Sequence, residues 1–447
     1  MSDASLRDRL RRTARPVVSP LDSLEERCVG RVSDEAPLRE RLQALMEAAA
    51  ARVVSRPRTA LQDVAPGEVV ENAHGTFYRL EHRMALDAFH GHVPLTRLRL
   101  ADPDSVEIVA GEPGFEGFAL DRAVFLDTET TGLAGGAGTA AFLIGLGFVE
   151  DQTFVVRQYF MRDYNEEPAM LHALAADVAR FRHLVTYNGK MFDMPLLDAR
   201  FRLNRARFAL SGDAAHLDLL HPARRLWKLR LESCRLQALE SALLGVRRTG
   251  DIPGEEIPQV YFRYVRNRDP RAIGRIFEHN KTDIVSLAAL AALACQWVQE
   301  GEAGLCPGDD ARDVYSLGRV LERAQRVERA QSAYRKALSI GEGPLRTAAL
   351  LRLASQARRS GDYESAATLW EEGARAGDCA AFRALAIHHE RRRRDASAAL
   401  RVVEAALLAL RGERDPCCRR VVAEMGRRRV RLQARLARRE AAQLSSL

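Results

Sequence analysis

Apolar and polar residues alternate along this chain in three different rhythms. Between about 66 and 120, short apolar alternations are broken by Gly and Pro, as in Gly75-Thr-Phe-Tyr-Arg-Leu80 and Val93-Pro-Leu-Thr-Arg-Leu98. This is the two-residue period of half-buried strands. From 121 to about 300, strand-like and helical patterns alternate. One apolar run ends at Asp127, and a hairpin follows over 141–148 and 154–160 with Glu150-Asp-Gln152 at its turn. A helix is predicted over 166–181 and a further strand over 184–187. Three neighbouring strands, a helix and another strand describe an open mixed α/β sheet with flanking helices.

Beyond Pro307 the period becomes helical and repeats. Leu317-Gly318, Ala330, Tyr334 and Ala337 are followed by Leu353-Ala354, Ala366, Trp370 and Ala374, then by Leu385-Ala386, Ala398, Val402 and Ala405. The leading leucines lie 36 and then 32 residues apart, near the 34-residue helix-turn-helix period of tetratricopeptide repeats. The third copy is degenerate, and irregular helical hairpins are the alternative. The patterns thus divide the chain into a loosely patterned arm at 1–65, with a helix over 38–56, and a small strand-rich lead-in at 66–120. An α/β domain at 121–300 and helical repeats at 308–447 complete it.

A length of 447 residues agrees with two or three domains. No run of about 18 uninterrupted apolar residues predicts a membrane span. The first twelve residues mix Asp3 and Asp8 with arginines and lack the apolar stretch of a secretory signal, so a cytoplasmic protein is expected. Seven cysteines without a C-x-x-C pair predict reduced thiols. His74, His82, His90 and His92 cluster in the lead-in, but irregular spacing makes them structural or surface residues rather than a metal site. Charge is localised: 12 arginines against 5 acids from residue 401 onward supply +7 of the net +8. Such a tail can hold phosphates or simply form a solvated helix face.

The chemistry is concentrated in three segments: Phe125-Leu-Asp-Thr-Glu-Thr-Thr-Gly-Leu133, Tyr187-Asn-Gly-Lys-Met-Phe-Asp193 and His279-Asn-Lys-Thr-Asp283. On a strand, Asp127 and Glu129 project to one face and can share a cation. On a helix, His279 and Asp283 lie one turn apart on one face. Asp193, at a predicted helix start, can complete a second ion's shell. Hydrolysis of a phosphodiester needs an activated water and charge relief on the leaving oxygen, which two divalent ions provide. Hard ions such as Mg2+ or Mn2+ take oxygen ligands, and His279 suits the orientation or deprotonation of the water.

These three segments, in this order, resemble the exonuclease motifs of the DEDD superfamily. More closely, the region from about 74 to 295 resembles the bacterial YprB family of ribonuclease-H-like exonucleases, supported by His216-Leu-Asp-Leu-Leu220, Arg225-Leu-Trp-Lys228 and Gly250-Asp-Ile-Pro-Gly-Glu255. The resemblance implies a ribonuclease-H-like sheet and 3′-5′ exonuclease activity. Asp127, Glu129, Asp193 and Asp283 would be metal ligands and His279 the residue that positions the water. Thr130, Thr131 and Leu133 would grip the terminal nucleotide, and Asn188 would bond the substrate backbone or cap the next helix. One departure stands out. Superfamily members with histidine place it five residues before the last Asp, and those with tyrosine place it four before; this chain has histidine at the tyrosine spacing.

Asp218 is a fifth acid that either approaches the site or satisfies nearby backbone. Arg224, Arg225, Trp227 and Lys228 either contact phosphates and stack a base or form an amphipathic helix face. The expected activity is DNA processing or repair, with DNA favoured over RNA and a helicase or other protein as partner of the repeats. An RNA-processing exonuclease and a non-catalytic nucleic-acid-binding scaffold are the alternatives.

Overall fold

The segment Ala123–Thr130 (β5) turns alternate side chains to opposite faces, and helices cover both faces in the computed structural model. The structure describes residues 59–132, 138–210, 214–301 and 310–444. Leu133 and the helix expected over 38–56 lie outside them. Ala123 and Phe125 pack with Ile284, Leu287, Ala291 and Val298 of the long helix Ile273–Glu300. Val124 and Leu126 instead pack with Met170 and Leu174, and with Leu197 and Phe201. Each such side chain contributes about 1.5–3 kcal/mol when fully buried, so both cores hold β5 in register.

Nine strands occur among the described residues: Glu68–Asn72 (β1), Gly75–Ala85 (β2), Phe89–His90 (β3), Val93–Pro94 (β4), β5, Ala141–Glu150 (β6), Thr153–Phe160 (β7), His183–Thr186 (β8) and Ala215–Asp218 (β9). Seven form one sheet in the order β1-β2-β7-β6-β5-β8-β9. β8 and β9 run parallel to β5, while β6, β7, β2 and β1 continue antiparallel from its other edge. This is a ribonuclease-H-like mixed sheet. β1 and β2, from the strand-rich lead-in, extend it through β7.

Among the described residues, the helices of eight residues or more begin with Pro103–Ala110 (α1), Glu167–Val178 (α2), Asp193–Leu203 (α3), Leu220–Trp227 (α4), Ile257–Asn267 (α5) and Ile273–Glu300 (α6). Ala311–Arg323 (α7), Val327–Ile340 (α8), Gly343–Arg359 (α9), Tyr363–Arg375 (α10), Cys379–Ile387 (α11), Ala396–Ala409 (α12) and Pro416–Leu444 (α13) follow. Only α6 among the described residues is long and apolar enough to cross a membrane. Its apolar face is occupied by the sheet and by Val314, Leu317 and Leu321 of α7.

Two glycines in β6 set how close α6 comes to the sheet. Gly145 is paired with Asp127 and Gly147 with Phe125. A Cβ at 145 would lie 2.3 Å from Oδ1 of Asn280, and one at 147 would lie 2.4 Å from Cγ2 of Ile284. Side chains here would push α6 outward.

The helical region consists of hairpins, as its sequence period predicts. Gly318 lets Tyr334 pack directly on α7, where a Cβ would approach the ring to 2.6 Å. Ala330, Tyr334 and Ala337, then Ala366, Trp370 and Ala374, are buried. In the third hairpin the buried positions of α12 include Ala399, Val403 and Ala406. Of the positions marked by the repeat, Ala398 is buried, Val402 half-buried and Ala405 exposed. The five cysteines within the described residues are free thiols.

Candidate active site

Period-two alternation carries Asp127 and Glu129 onto the α6 side of the sheet, following Phe125, and Thr128 onto the opposite side, following Leu126. α3 begins at Asp193 on that opposite side, and the Thr128 hydroxyl donates to Asp193 Oδ1 at 2.5 Å. From α6, His279 and Asp283 face the acids one turn apart. Nε2 of His279 lies 3.8 Å from Glu129 Oε1 and 3.5 Å from Asp283 Oδ2. Ligand atoms of Glu129, His279 and Asp283 all fall within 4.8 Å of one another, the one such group of three among the described residues. Their mainly oxygen donors fit a hard divalent cation.

Electrostatics marks the same cluster. Burial, followed by repulsion from Asp283, Glu129 and Asp193, raises the pKa of Asp127 well above the carboxylate range. Burial and then Asp283 and Asp193 raise Glu129 similarly. Asp193 is pushed up to about 6, chiefly by burial. Asp283 is also raised by burial, with His279 and Arg248 opposing. Acids buried close together resist ionisation.

This yields a pH prediction. A carboxyl whose folded pKa lies above its unfolded value adds stability below the unfolded pKa, and that stability is lost as pH rises through the folded value. For Asp193 the window runs from its ordinary value of 3.8 to about 6, and the other raised acids act in the same direction. The metal-free protein is therefore expected to lose stability as pH rises from about 4 through 6. Saturating Mn2+ at pH 8 should raise Tm by roughly 5 °C, from about 2.7 kcal/mol of ligand stabilisation at a hundredfold excess over Kd. Scanning fluorimetry with EDTA or Mn2+ at pH 5 and 8 checks this; a Tm indifferent to Mn2+ at pH 8 contradicts it.

Residues other than the four motif acids and His279 complete the arrangement. Asn280, fully buried, donates to Asp127 Oδ2 at 2.8 Å and accepts at 2.9 Å from Gln158, which also donates to the carbonyl of Phe277. Asp251 Oδ1 lies 2.8 Å from His279 Nδ1. Burial opposes the Asp251 charge, but bonds to His279 and Arg248 outweigh it and hold its pKa below the usual range. Arg248 spans the group, donating to Glu240 at 2.5 and 2.7 Å, to Asp251 at 3.1 Å and to Asp283. Asn280 sits inside the His279-to-Asp283 motif, and its signal was an amide one residue from a candidate base. Nothing in local spacing connects Glu240, Arg248 and Asp251 to α6.

The remaining expected residues divide. Asn188 adopts φ 63° at the turn after β8, and its N–H donates to Asp218 Oδ1 at 2.7 Å. Asp218 also accepts from the N–H groups of Lys190 and Leu220, both at 3.1 Å. It therefore satisfies backbone, one of its two expected roles. Asn188, Tyr187, Arg224, Lys228 and Arg235 line a cleft of about 560 Å³ that reaches Asp127 and Asp283. Arg225 and Trp227 turn the other way. Arg225 donates to the carbonyls of Val109 and Ala110 at the end of α1, and Trp227 is core. Thr130 donates to the carbonyl of Gly132, and Thr131 accepts from the N–H of Ala140. Both close the loop after β5. The lead-in histidines have separate surroundings: His74 stacks on His172 and His90 bonds Ser286.

The sheet order and the acid cluster define a nuclease-like domain of the ribonuclease H superfamily, and residues 124–295 match a family described as the RNase H superfamily. Such domains are nucleic-acid-cleaving hydrolases. The chain is also 31% identical over 301 residues to the protein YprB of Bacillus subtilis (strain 168), an alignment covering 65% of this chain and 70% of that protein. It belongs to the YprB family.

Proposed function

We propose that the protein is a metal-dependent exonuclease that removes nucleotides from the 3′ end of DNA. The observation that carries this reading is the grouping of Glu129, His279 and Asp283, with Asp127 on the same face, beside a cleft whose wall bears Arg224, Lys228 and Arg235. Two ions, Mg2+ or Mn2+, would supply an activated water and charge relief on the leaving oxygen. Asp127, Glu129, Asp193 and Asp283 would hold them, and His279 would orient the water. The cationic wall would take the phosphates of the incoming strand. The 3′ polarity rests on the order of the three motifs, and the roles of Thr130, Thr131 and Leu133 at the terminal nucleotide rest on the same resemblance. Helical hairpins of tetratricopeptide type would recruit a protein partner such as a helicase.

The test incubates end-labelled single-stranded and duplex DNA and RNA with Mg2+ or Mn2+. Stepwise shortening from the 3′ end of DNA is expected. Internal cuts contradict exonuclease action, and a preference for RNA supports the RNA-processing alternative.

The tail makes a separate prediction. Arg420, Arg427, Arg431, Arg435 and Arg438 fall along one side of α13 and, at 1.5 Å per residue, span about 27 Å. All five are exposed. Changing Arg427, Arg435 and Arg438 to Gln should weaken single-strand binding and reduce the slope of log K against log salt by about 2, at roughly 0.7 per phosphate contact. Fluorescence anisotropy from 50 to 300 mM salt measures it, and an unchanged slope removes the tail from the binding surface.

A further inference from the structure

His279 stands at the spacing ordinarily taken by a tyrosine, and a histidine ring there needs something to fix its rotation and its proton. We infer that Asp251 is a positioning residue that holds a proton of His279 at Nδ1 and fixes the ring so that Nε2 faces the acid cluster. The inference rests on the nuclease reading for its purpose and on geometry for its content.

Asp251 Oδ1 lies 2.8 Å from Nδ1 of His279. Its second oxygen, Oδ2, accepts from Arg248 at 3.1 Å. With a guanidinium on one oxygen the group is an acceptor at the other, so the proton between Asp251 and His279 belongs to Nδ1. Nε2 thereby faces Glu129 Oε1 and Asp283 Oδ2, at 3.8 and 3.5 Å. The ring is only 7% exposed, and the other donor near Nδ1, Nη1 of Arg248, stands farther off at 3.5 Å. A carboxylate behind a functional imidazole sets tautomer and orientation together.

Arg248 makes the arrangement rigid. It contacts Asp251 and Asp283 from one planar group, so the residue behind the imidazole and the acid one turn beyond it are held by a common tie. Glu240, 1% exposed, anchors that guanidinium through Nε and NH2. Residues 240–251 therefore support the α6 side of the site from outside the three motifs.

The experiment records long-range 15N–1H spectra of the metal-free, full-length protein labelled at histidine, at pH 8, with His279 assigned by its loss in His279→Gln. Wild type is expected to show a ring with a proton on Nδ1. In Asp251→Asn the side-chain amide can donate to Nδ1, and the proton should move to Nε2. On end-labelled DNA with Mn2+, kcat should fall about 100- to 1,000-fold with KM within about threefold, as expected for a wrong tautomer behind intact binding. Asp251→Glu should recover part of kcat. A wild-type ring without a proton on Nδ1 overturns the inference even if Asp251→Asn does not fold. So does a folded Asp251→Asn with unchanged tautomer. An Nδ1–H ring in a protein that degrades no nucleic acid upholds the tautomer assignment and rejects the nuclease reading instead.

Discussion

Replacing Asp127 by Asn is expected to reduce kcat/KM for exonucleolysis by about 10,000-fold, equivalent to roughly 5.5 kcal/mol of lost transition-state stabilisation. Asp127 lies on the face shared with Glu129, lines the cleft with Asp283, and has its ionisation opposed by burial and then by three other carboxylates. Removing its charge removes the ligand best placed to be shared between two ions. The fold should not suffer. Asn280 donates to Asp127 Oδ2, and an Asn oxygen can accept the same bond. Because the folded pKa of Asp127 is raised, its ionised form weakens the metal-free protein above that pKa, so the variant should melt higher than wild type at pH 8 without metal. The gain should fade as pH falls. Initial rates and melting curves measured on one preparation test both halves. Activity within tenfold of wild type would falsify the assignment of Asp127 as a metal ligand.

The second large effect is expected at Gly145, which carries no functional group. Gly145→Ala places a methyl 2.3 Å from Asn280 Oδ1. Asn280 is fully buried and held between Gln158 and Asp127, so it has no room to withdraw. Either its bonds break or α6 moves away from β6. A cost of about 2–4 kcal/mol is expected from overpacking and a disrupted buried network. Activity should fall as well, because His279 and Asp283 ride on the displaced helix. Urea denaturation provides the measurement, with Gly254→Ala, whose added Cβ meets nothing within 4 Å, as the neutral control. Adding Asn280→Ala to Gly145→Ala should restore part of the stability but not the activity, a non-additive pair as expected for residues in contact. An additive pair, or a Gly145→Ala protein as stable as the control, would show that α6 does not depend on this close approach.

How much was legible in the sequence depended on whether the signal was local. The run ending at Asp127 announced a strand by its alternation, and Asp127 with Glu129 announced a shared face. The β6–β7 hairpin, α2 and β8 lie where their periods put them, within a few residues at each end. The His279-to-Asp283 spacing implied one helix face, and both side chains are on it. Phase within a helix was less legible. Arg224, Arg225, Trp227 and Lys228 form one basic, amphipathic stretch in sequence, yet Arg224 and Lys228 line the cleft while Arg225 and Trp227 are directed into the protein. In α12 the repeating positions hold for Ala398 and in part for Val402, while Ala405 is exposed.

The chain alone determined the kinds of element and the identity of the acids, because a two-residue or 3.6-residue period is set by backbone geometry and is written into consecutive residues. Only the tertiary structure decided which of those residues share a site. Asp251 and Arg248 reach α6 from a separate loop, Asp218 turns to the backbone of its neighbours, and Gly145 matters because a helix more than 130 residues later in the chain comes to rest against it. Such contacts follow from how two cores close around one sheet. No short stretch of sequence contains both partners, so no local period can encode them.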